Sequence, residues 1–353
     1  MRTLVITQDE NRIDEQEIAR AGKIILNGGL VAFPTETVYG LGGDGLNPDS
    51  ARKIYEAKGR PSDNPLIVHI YRMEDLEILV KEIPESARKL AEAFWPGPLT
   101  MILPKDDLVP DETTGGLDTV AVRMPSHKVA LAFIKAAGGF VAAPSANLSG
   151  KPSPTLAKYV LEDMDGRIDM IIDGGDIAIG LESTIVDLTG DVPMILRPGY
   201  ITLDMLKDVL GEVTMDPTLL DDDCKERPKA PGMRYRHYAP KGDMLIIEGE
   251  PDKVVKEINM LVEESRQKGY KTGVIATAEN ADKYRADVVK VVGNRNDDTA
   301  IAASLYRILR EFDDEEADAI YSESFATDGF GHAIMNRLLK AAGHKYIKIQ
   351  EEV

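Results

Sequence analysis

Eight short apolar runs of strand type recur through the first two hundred residues of this chain: Leu30–Phe33, Leu66–Ile70, Leu99–Leu103, Thr119–Arg123, Phe140–Ala143, Met170–Ile172, Thr184–Leu188 and Met194–Arg197. Helix-type stretches sit between them. Residues 14–27 set Ile18, Ile24 and Ile25 among polar neighbours. Residues 48–58 have Asn47 as an N-cap, Pro48 in the first turn and Gly59 just past the end. Strands alternating with helices confine the chain to an α/β architecture, here a twisted mixed sheet with flanking helices. From Met244 the rhythm resumes with MLIIE, a helix over 251–268, TGVIAT, DVVKVV, a helix over 298–312, AIYSE, a helix over 332–341 and KYIKI. This predicts a second, smaller, Rossmann-like α/β domain. Between the two, residues 214–243 carry no helical or strand period, four Pro and a short acidic run, which reads as a long linker. Yet Arg234, Tyr235, Arg236, His237 and Tyr238 crowd cations and rings into five residues, which a plain spacer does not need. The expected divisions are 1–212, a linker over 213–243, and 244–353; 353 residues suffice for two cores.

Charge and cysteine content narrow the function classes. Lys+Arg 42 against Asp+Glu 60 gives −18, so stable autonomous nucleic-acid binding is not expected, because phosphate contacts need a basic face. The single Cys224 excludes a disulfide framework and a thiolate-rich zinc site, while five His leave a His–carboxylate metal site open. No apolar run approaches the roughly 18 residues of a membrane span, and the first residues lack the apolar core of a signal peptide. A cytoplasmic protein without membrane partners is the expectation.

Five clusters carry polar chemistry. Gly40, Gly42 and Gly45 fit G-x-G-x-x-G after a strand and before a helix, but PTETVY precedes them where a tight phosphate turn has no room. A Gly-rich turn needing positive φ is the preferred reading. Lys58 and Arg60 stand at a helix end before a Pro-rich turn and a buried strand; they either favour the helix dipole or serve a loop held by a rigid scaffold. Arg123 closes an otherwise apolar strand and needs a carboxylate, structural or from a ligand. The stretch Ala143–Pro154 crowds Ser145, Asn147, Ser149 and Ser153 among Pro and Gly. It is either a loop that caps a helix at Ser153 or a cradle for phosphate or ribose oxygens. Arg197 ends a second strand, following Glu182-Ser183-Thr184. Four cations at element ends in an acidic chain suggest a focused anion pocket, suited to a triphosphate plus a carboxylate. No nucleophile stands beside a base at telling spacing, so acyl-enzyme chemistry is not expected.

Several of these segments together resemble the YrdC-like family. They are Phe33-Pro-Thr-Glu-Thr-Val-Tyr-Gly-Leu-Gly42, Lys58-x-Arg60-Pro61, Asn64-Pro-Leu-Ile-Val-His69, Trp95-Pro-Gly-Pro-Leu-Thr100, Thr119–Arg123, Pro144–Gly150, Glu182–Ile185 and Leu196–Gly199. Ala230–Pro240 and Gly329–Arg337 further resemble the long, two-domain threonylcarbamoyl-AMP synthase family. The resemblance implies that L-threonine, bicarbonate or carbon dioxide, and ATP with magnesium give threonylcarbamoyl-AMP and pyrophosphate. The product would serve a separate transferase in threonylcarbamoyladenosine modification of tRNA. It further implies a basic-polar tetrad of Lys58, Arg60, Ser145 and Asn147 around the phosphates, with Ser62, Thr119, Ser153, Arg197 and Tyr235 completing the ATP site. Arg123 would hold the threonine carboxylate, with Thr35, Ile67, His69, Ala143 and Ser183 around the rest. His69 reads equally as a core residue. Residues 230–240 would act as a lid, with Arg234 where the family often has Lys. Magnesium would ride on the ATP phosphates, with no protein ligands assigned. Gly329–Arg337 is either a ligand loop at a helix N-terminus or a simple turn and cap. Two other readings remain: an RNA-binding module of YrdC type, and a carbamoyl transferase like the hydrogenase-maturation protein that shares the domain. The zinc finger of that larger protein has no counterpart in a chain with one Cys.

Overall fold

The computed structural model describes residues 2–220 and 238–349. These fall into two compact units, 2–149 with 153–220 and 150–152 with 238–349. Among the described residues no helix is long and apolar enough to cross a membrane.

The first unit is built on an eleven-stranded sheet. Its strands are β1 (Leu4–Thr7), β2 (Val31–Phe33), β3 (Gly40–Asp44), β4 (Ile67–His69), β5 (Leu99–Pro104), β6 (Thr119–Arg123), β7 (Val141–Ala142), β8 (Met170–Asp173), β9 (Thr184–Asp187), β10 (Met194–Arg197) and β11 (Thr214–Met215). They lie in the order β1-β8-β2-β3-β7-β4-β6-β5-β9-β10-β11. The sheet is mixed as expected: β4 runs parallel to β6 and antiparallel to β7, while β6 and β5 are antiparallel. All eight anticipated runs form strands.

The helix Glu15–Leu26 starts where the Asp14 side chain accepts hydrogen bonds from the backbone N–H groups of Gln16 and Glu17, an N-cap. The helix Pro48–Lys58 is capped by Asn47 and ends at Gly59 in the left-handed region, φ 60°. Strand alternation divides the two faces of the central sheet. Val68, Met101, Leu103, Val120, Val122 and Val186 join one large core with helix residues such as Leu90 and Leu206. Ile67, Ile102, Ala121, Ile185 and Leu196 form a separate apolar strip.

The glycine-rich stretch departs from expectation. Gly40–Asp44 is strand β3, not a turn, and none of Gly40, Gly42 and Gly45 has positive φ. These positions need glycine because of close approach. A Cβ on Gly42 would stand 2.8 Å from Val141 Cγ1, and one on Gly45 3.2 Å from the Ala142 nitrogen. Two more strands escaped the reading: β1 at the sheet edge, and β11, which falls inside the stretch read as linker and precedes a 3-10 turn over Pro217–Leu220.

The second unit has a five-stranded parallel sheet of β12 (Asp243–Glu248), β13 (Thr272–Thr277), β14 (Val288–Gly293), β15 (Ala319–Glu323) and β16 (Tyr346–Lys348). Helices Pro251–Gln267, Asp298–Asp314 and Gly331–Ala341 connect them. The strand order is β14-β13-β15-β12-β16. Counted within the unit this is 3-2-4-1-5, whereas a Rossmann sheet runs 3-2-1-4-5. The fourth strand inserts between the first two, so the Rossmann-like expectation is corrected to a parallel α/β sheet of different order. Glu323 is fully buried at the carboxyl end of β15; its carboxylate accepts hydrogen bonds from Thr277 and Asn280 and pairs with Arg295. Helix Gly331–Ala341 follows Gly329, φ 51°, and buries Asn336 and Arg337.

Candidate active site

The sheet of the first unit gathers the candidate residues at two places joined by β4. At the start of β4 the chain sets its phosphate-type groups. Lys58 is 2% exposed, and its Nζ donates to the Ser145 and Asn147 carbonyls at 2.5 Å each. The Ser149 N–H donates to the Lys58 carbonyl, so the helix end and the 145–149 turn hold each other. Ser145 Oγ donates to Asn147 Oδ1, 2.5 Å. Arg60 is half-buried and donates to the Asn64 and Pro65 carbonyls, the residues that lead into β4. The Tyr55 hydroxyl donates to the same Asn64 carbonyl, and burial pushes its phenol up to about 12. Ser62 is exposed on the turn between them.

At the far end of β4 sit the carboxylate-type groups. Pairing sets His69 opposite Arg123, and Arg123 opposite Thr100 on β5. The Arg123 guanidinium is buried: Nη1 donates to Thr37 Oγ1 at 2.8 Å and Nε to the Gly97 carbonyl at 3.3 Å. Nη2 lies 2.7 Å from Glu36 Oε1. Thr37 Oγ1 is 2.9 Å from Thr35 Oγ1, which donates to the Val38 carbonyl at 2.7 Å. On the other side, Thr100 Oγ1 is 2.7 Å from Ser183 Oγ. Arg197 donates from Nε to the Ser183 carbonyl and from Nη2 to Ser183 Oγ. Two polar chains therefore run here, one from Thr35 through Thr37 to Arg123 and one from Thr100 through Ser183 to Arg197.

The two places lie toward opposite ends of β4, a strand of three residues. Alternation puts Thr119, Ala121 and Arg123 on one face of β6 and Ile67 and His69 on the same face of β4. The buried apolar strip of Ile67, Ile102, Ala121, Ile185 and Leu196 lies on that face. Ala143 anchors the floor, its N–H donating to the Ile67 carbonyl at 2.8 Å. His69 is buried, its Nδ1 3.1 Å from the Ile67 carbonyl and its ring edge-on to Phe33. Burial, reinforced by Arg123, pushes it down to about 3, so it is a neutral imidazole at pH 7.

Ser153 is also brought in, but not as a helix cap. The helix Ala157–Met164 begins without a side-chain cap, and Ser153 Oγ instead donates to Glu182 Oε1 at 2.6 Å. Tyr235 and the rest of the lid motif up to His237 lie outside the described residues. Sequence reasoning missed Glu36, Thr37, Thr100 and Glu182, although all four lie inside its own motifs. A cavity of about 570 Å³ lined by Gly28, Lys53, Glu56, Arg167 and Asp169, among others, holds none of the candidate residues.

Such a site offers a polar, hydroxyl-bearing end with two cations, a buried guanidinium end, and an apolar strip between: groups of the kind that suit a polyphosphate and a small carboxylate. Residues 23–199 match the Sua5_yciO_yrdC family, described as "Telomere recombination", and residues 201–343 match the threonylcarbamoyl-AMP synthase C-terminal domain. The chain is 49% identical to the threonylcarbamoyl-AMP synthase of Pyrococcus abyssi over 98% of its own length and 100% of that protein. It is 49% identical to that of Bacillus subtilis over 98% and 99%. Its structure is similar to the crystal structure of P. abyssi Sua5 complexed with L-threonine, with TM-score 0.94, 48% identity, and coverage of 99% of this chain and 100% of that one. Family matches to both parts of the chain, and near-full-length identity to two members, converge on one assignment: this chain belongs to the threonylcarbamoyl-AMP synthase family.

Proposed function

We propose that this chain is an L-threonylcarbamoyladenylate synthase. L-threonine, bicarbonate or carbon dioxide, and ATP give threonylcarbamoyl-AMP and pyrophosphate. The observation that carries this reading is the buried Arg123 guanidinium, linked through Thr37 to the Thr35 hydroxyl, with the Lys58–Ser145–Asn147 cluster toward the other end of β4. The first suits an amino-acid carboxylate, which a guanidinium grips with directed N–H donors. The second suits the phosphates.

In this reading Lys58, Arg60, Ser145 and Asn147 surround the triphosphate, and Ser62, Thr119, Ser153 and Arg197 complete the ATP site. Tyr235 is assigned to ATP by resemblance alone. Arg123 holds the threonine carboxylate, with Thr35, Ile67, His69, Ala143 and Ser183 around it. The amine attacks carbon dioxide, and the carbamate oxygen then attacks the α-phosphorus as pyrophosphate leaves. The protein's part is positioning and charge stabilisation at the oxygens that gain charge. A carbamate is short-lived in water, so the buried floor and a lid over residues 230–240 would protect it. Among the described residues no three His, Cys, Asp or Glu side chains are grouped to hold a metal. In this reading magnesium travels on the ATP phosphates, as the resemblance implies.

The 1–212 segment would act as the catalytic domain and 244–353 as an accessory domain. The product would pass to a separate tRNA threonylcarbamoyl transferase in the cytoplasm. The test is pyrophosphate release from the purified chain with ATP, magnesium, threonine and bicarbonate. The reading requires release that depends on both threonine and bicarbonate. No release, with salt-sensitive tRNA binding instead, would replace it with the RNA-binding reading.

A further inference from the structure

Glu36 sits between Thr35 and Thr37 in the loop that follows β2, and the reaction as described gives it no part. Its Oε1 is 2.7 Å from Arg123 Nη2. Both Glu36 oxygens are buried and accept no hydrogen bond, and Arg123 Nη2 donates none. The contact is thus a bare charge pair, without the alignment that makes a buried ion pair favourable. The other guanidinium nitrogens are committed to Thr37 and Gly97 and fix the group in place. A buried carboxylate without hydrogen bonds is costly, so this pair is a poor device for stability.

Charge balance gives it a use, if Arg123 takes the threonine carboxylate as proposed above. Two carboxylates on one buried guanidinium leave a net charge of about −1, expensive at low dielectric. The substrate is a zwitterion, and its ammonium is on the same carbon as its carboxylate. With that carboxylate on Arg123, the ammonium falls beside Glu36 and restores neutrality. We propose that Glu36 binds the ammonium of the amino-acid substrate and accepts its first proton.

The proton has to leave before carbon dioxide can be attacked. One N–H bond of the ammonium breaks and its proton goes to a Glu36 oxygen. The freed lone pair forms the N–C bond, and one C=O electron pair moves onto oxygen. The second nitrogen proton goes to water, leaving the carbamate. Arg123 is the cation against Glu36. His127 lies on the same side, with its Nδ1 3.4 Å from Glu10 Oε1; burial holds His127 below its usual pKa, in the uncharged form at neutral pH.

Two measurements on the full chain decide the matter. The first is calorimetric binding of L-threonine and of 3-hydroxybutyrate, which is threonine without its ammonium; it does not depend on turnover, so it stands whether or not adenylate is made. The intact chain should prefer threonine by about tenfold or more, and Glu36→Gln should erase that preference while ATP affinity is kept. The second is kcat/KM from pH 7 to 9.5. Glu36→Gln should fall about 100-fold at pH 7, the low end of general-base effects. The deficit should shrink as pH approaches the pKa of the substrate's own amine, and Glu36→Asp should recover part of the rate. The ratio to the unchanged chain at each pH cancels any change in dissolved carbon dioxide. Tighter threonine binding by Glu36→Gln would mean that Glu36 only competes for Arg123 and would overturn the proposal. A deficit that is the same at every pH would overturn the proton-transfer step.

Discussion

Replacing Lys58 by Met separates what this residue does for the fold from what it does for ATP. The apolar stem stays and the ammonium goes. Two hydrogen bonds to the Ser145 and Asn147 carbonyls are lost, each 2.5 Å in length. A hydrogen bond from a charged donor contributes about 1.5–3 kcal/mol, so the pair contributes about 3–6 kcal/mol. That figure is already net of the desolvation of an ammonium only 2% exposed, so the loss of stability is about 3–6 kcal/mol. For a unit of this size that lowers Tm by roughly 6–24 °C. The effect on chemistry is expected to be much larger. A preorganised donor on a charged transition state is typically worth about 100- to 1,000-fold in kcat. Thermal unfolding and pyrophosphate release on one Lys58→Met preparation, at saturating ATP and threonine, check both. A Tm within this range with activity down at least about 100-fold is the expected outcome. Activity within about threefold of the unchanged chain would refute the reasoning, because the ammonium would then be a structural tie alone.

Arg123→Gln should raise the KM for threonine about 100-fold or more and leave ATP affinity unchanged; equal losses for both substrates would place Arg123 at the nucleotide instead. It should also destabilise the first unit by about 3–5 kcal/mol, because Glu36 is left buried without its cation. His69 gives a pH signature in chemical denaturation. Its folded pKa of about 3 is below the ordinary 6.5, so the unfolded chain binds the proton first. Stability contributed by neutral His69 is full above about pH 6.5 and falls by about 1.4 kcal/mol per pH unit as pH drops towards 3. His69→Gln should flatten that slope by one proton's worth. Gly42→Ala brings a Cβ to 2.8 Å from Val141 Cγ1 and 3.1 Å from the Val31 carbonyl. Overpacking of this kind should lower stability by about 1–3 kcal/mol in denaturant melts.

Residues whose neighbours in sequence decide their structure were legible. Asn47, Pro48 and Gly59 bracket the helix they predict, and the eight apolar runs form strands. The misses have tertiary causes. β3 has three glycines in five residues and reads as a turn; the approach in space of Phe33 and Val141 on one side and of Ile54, Leu30 and Ser50 on the other explains them. β1 is an edge strand with every second residue half-buried and pairs only with β8. In the second unit the alternation of strands and helices was plain, but local pattern does not encode that β15 inserts between β12 and β13. At the site, Arg123 was noticed because a cation at the end of an apolar strand is conspicuous. Thr37 and Thr100 were not, because a threonine in a motif looks like any other until strand register sets it opposite or against an arginine. The cap alternative at Ser153 fails because its partner, Glu182, is distant in sequence.

The most direct test of the synthase reading uses carbon-13 bicarbonate with unlabelled threonine, ATP and magnesium, and mass spectrometry of the products. The account predicts a threonylcarbamoyl-adenylate that carries the bicarbonate carbon, formed by the unchanged chain and lost in Arg123→Gln and Lys58→Met. An adenylate that lacks the labelled carbon, or none at all while ATP and threonine both bind, would contradict it.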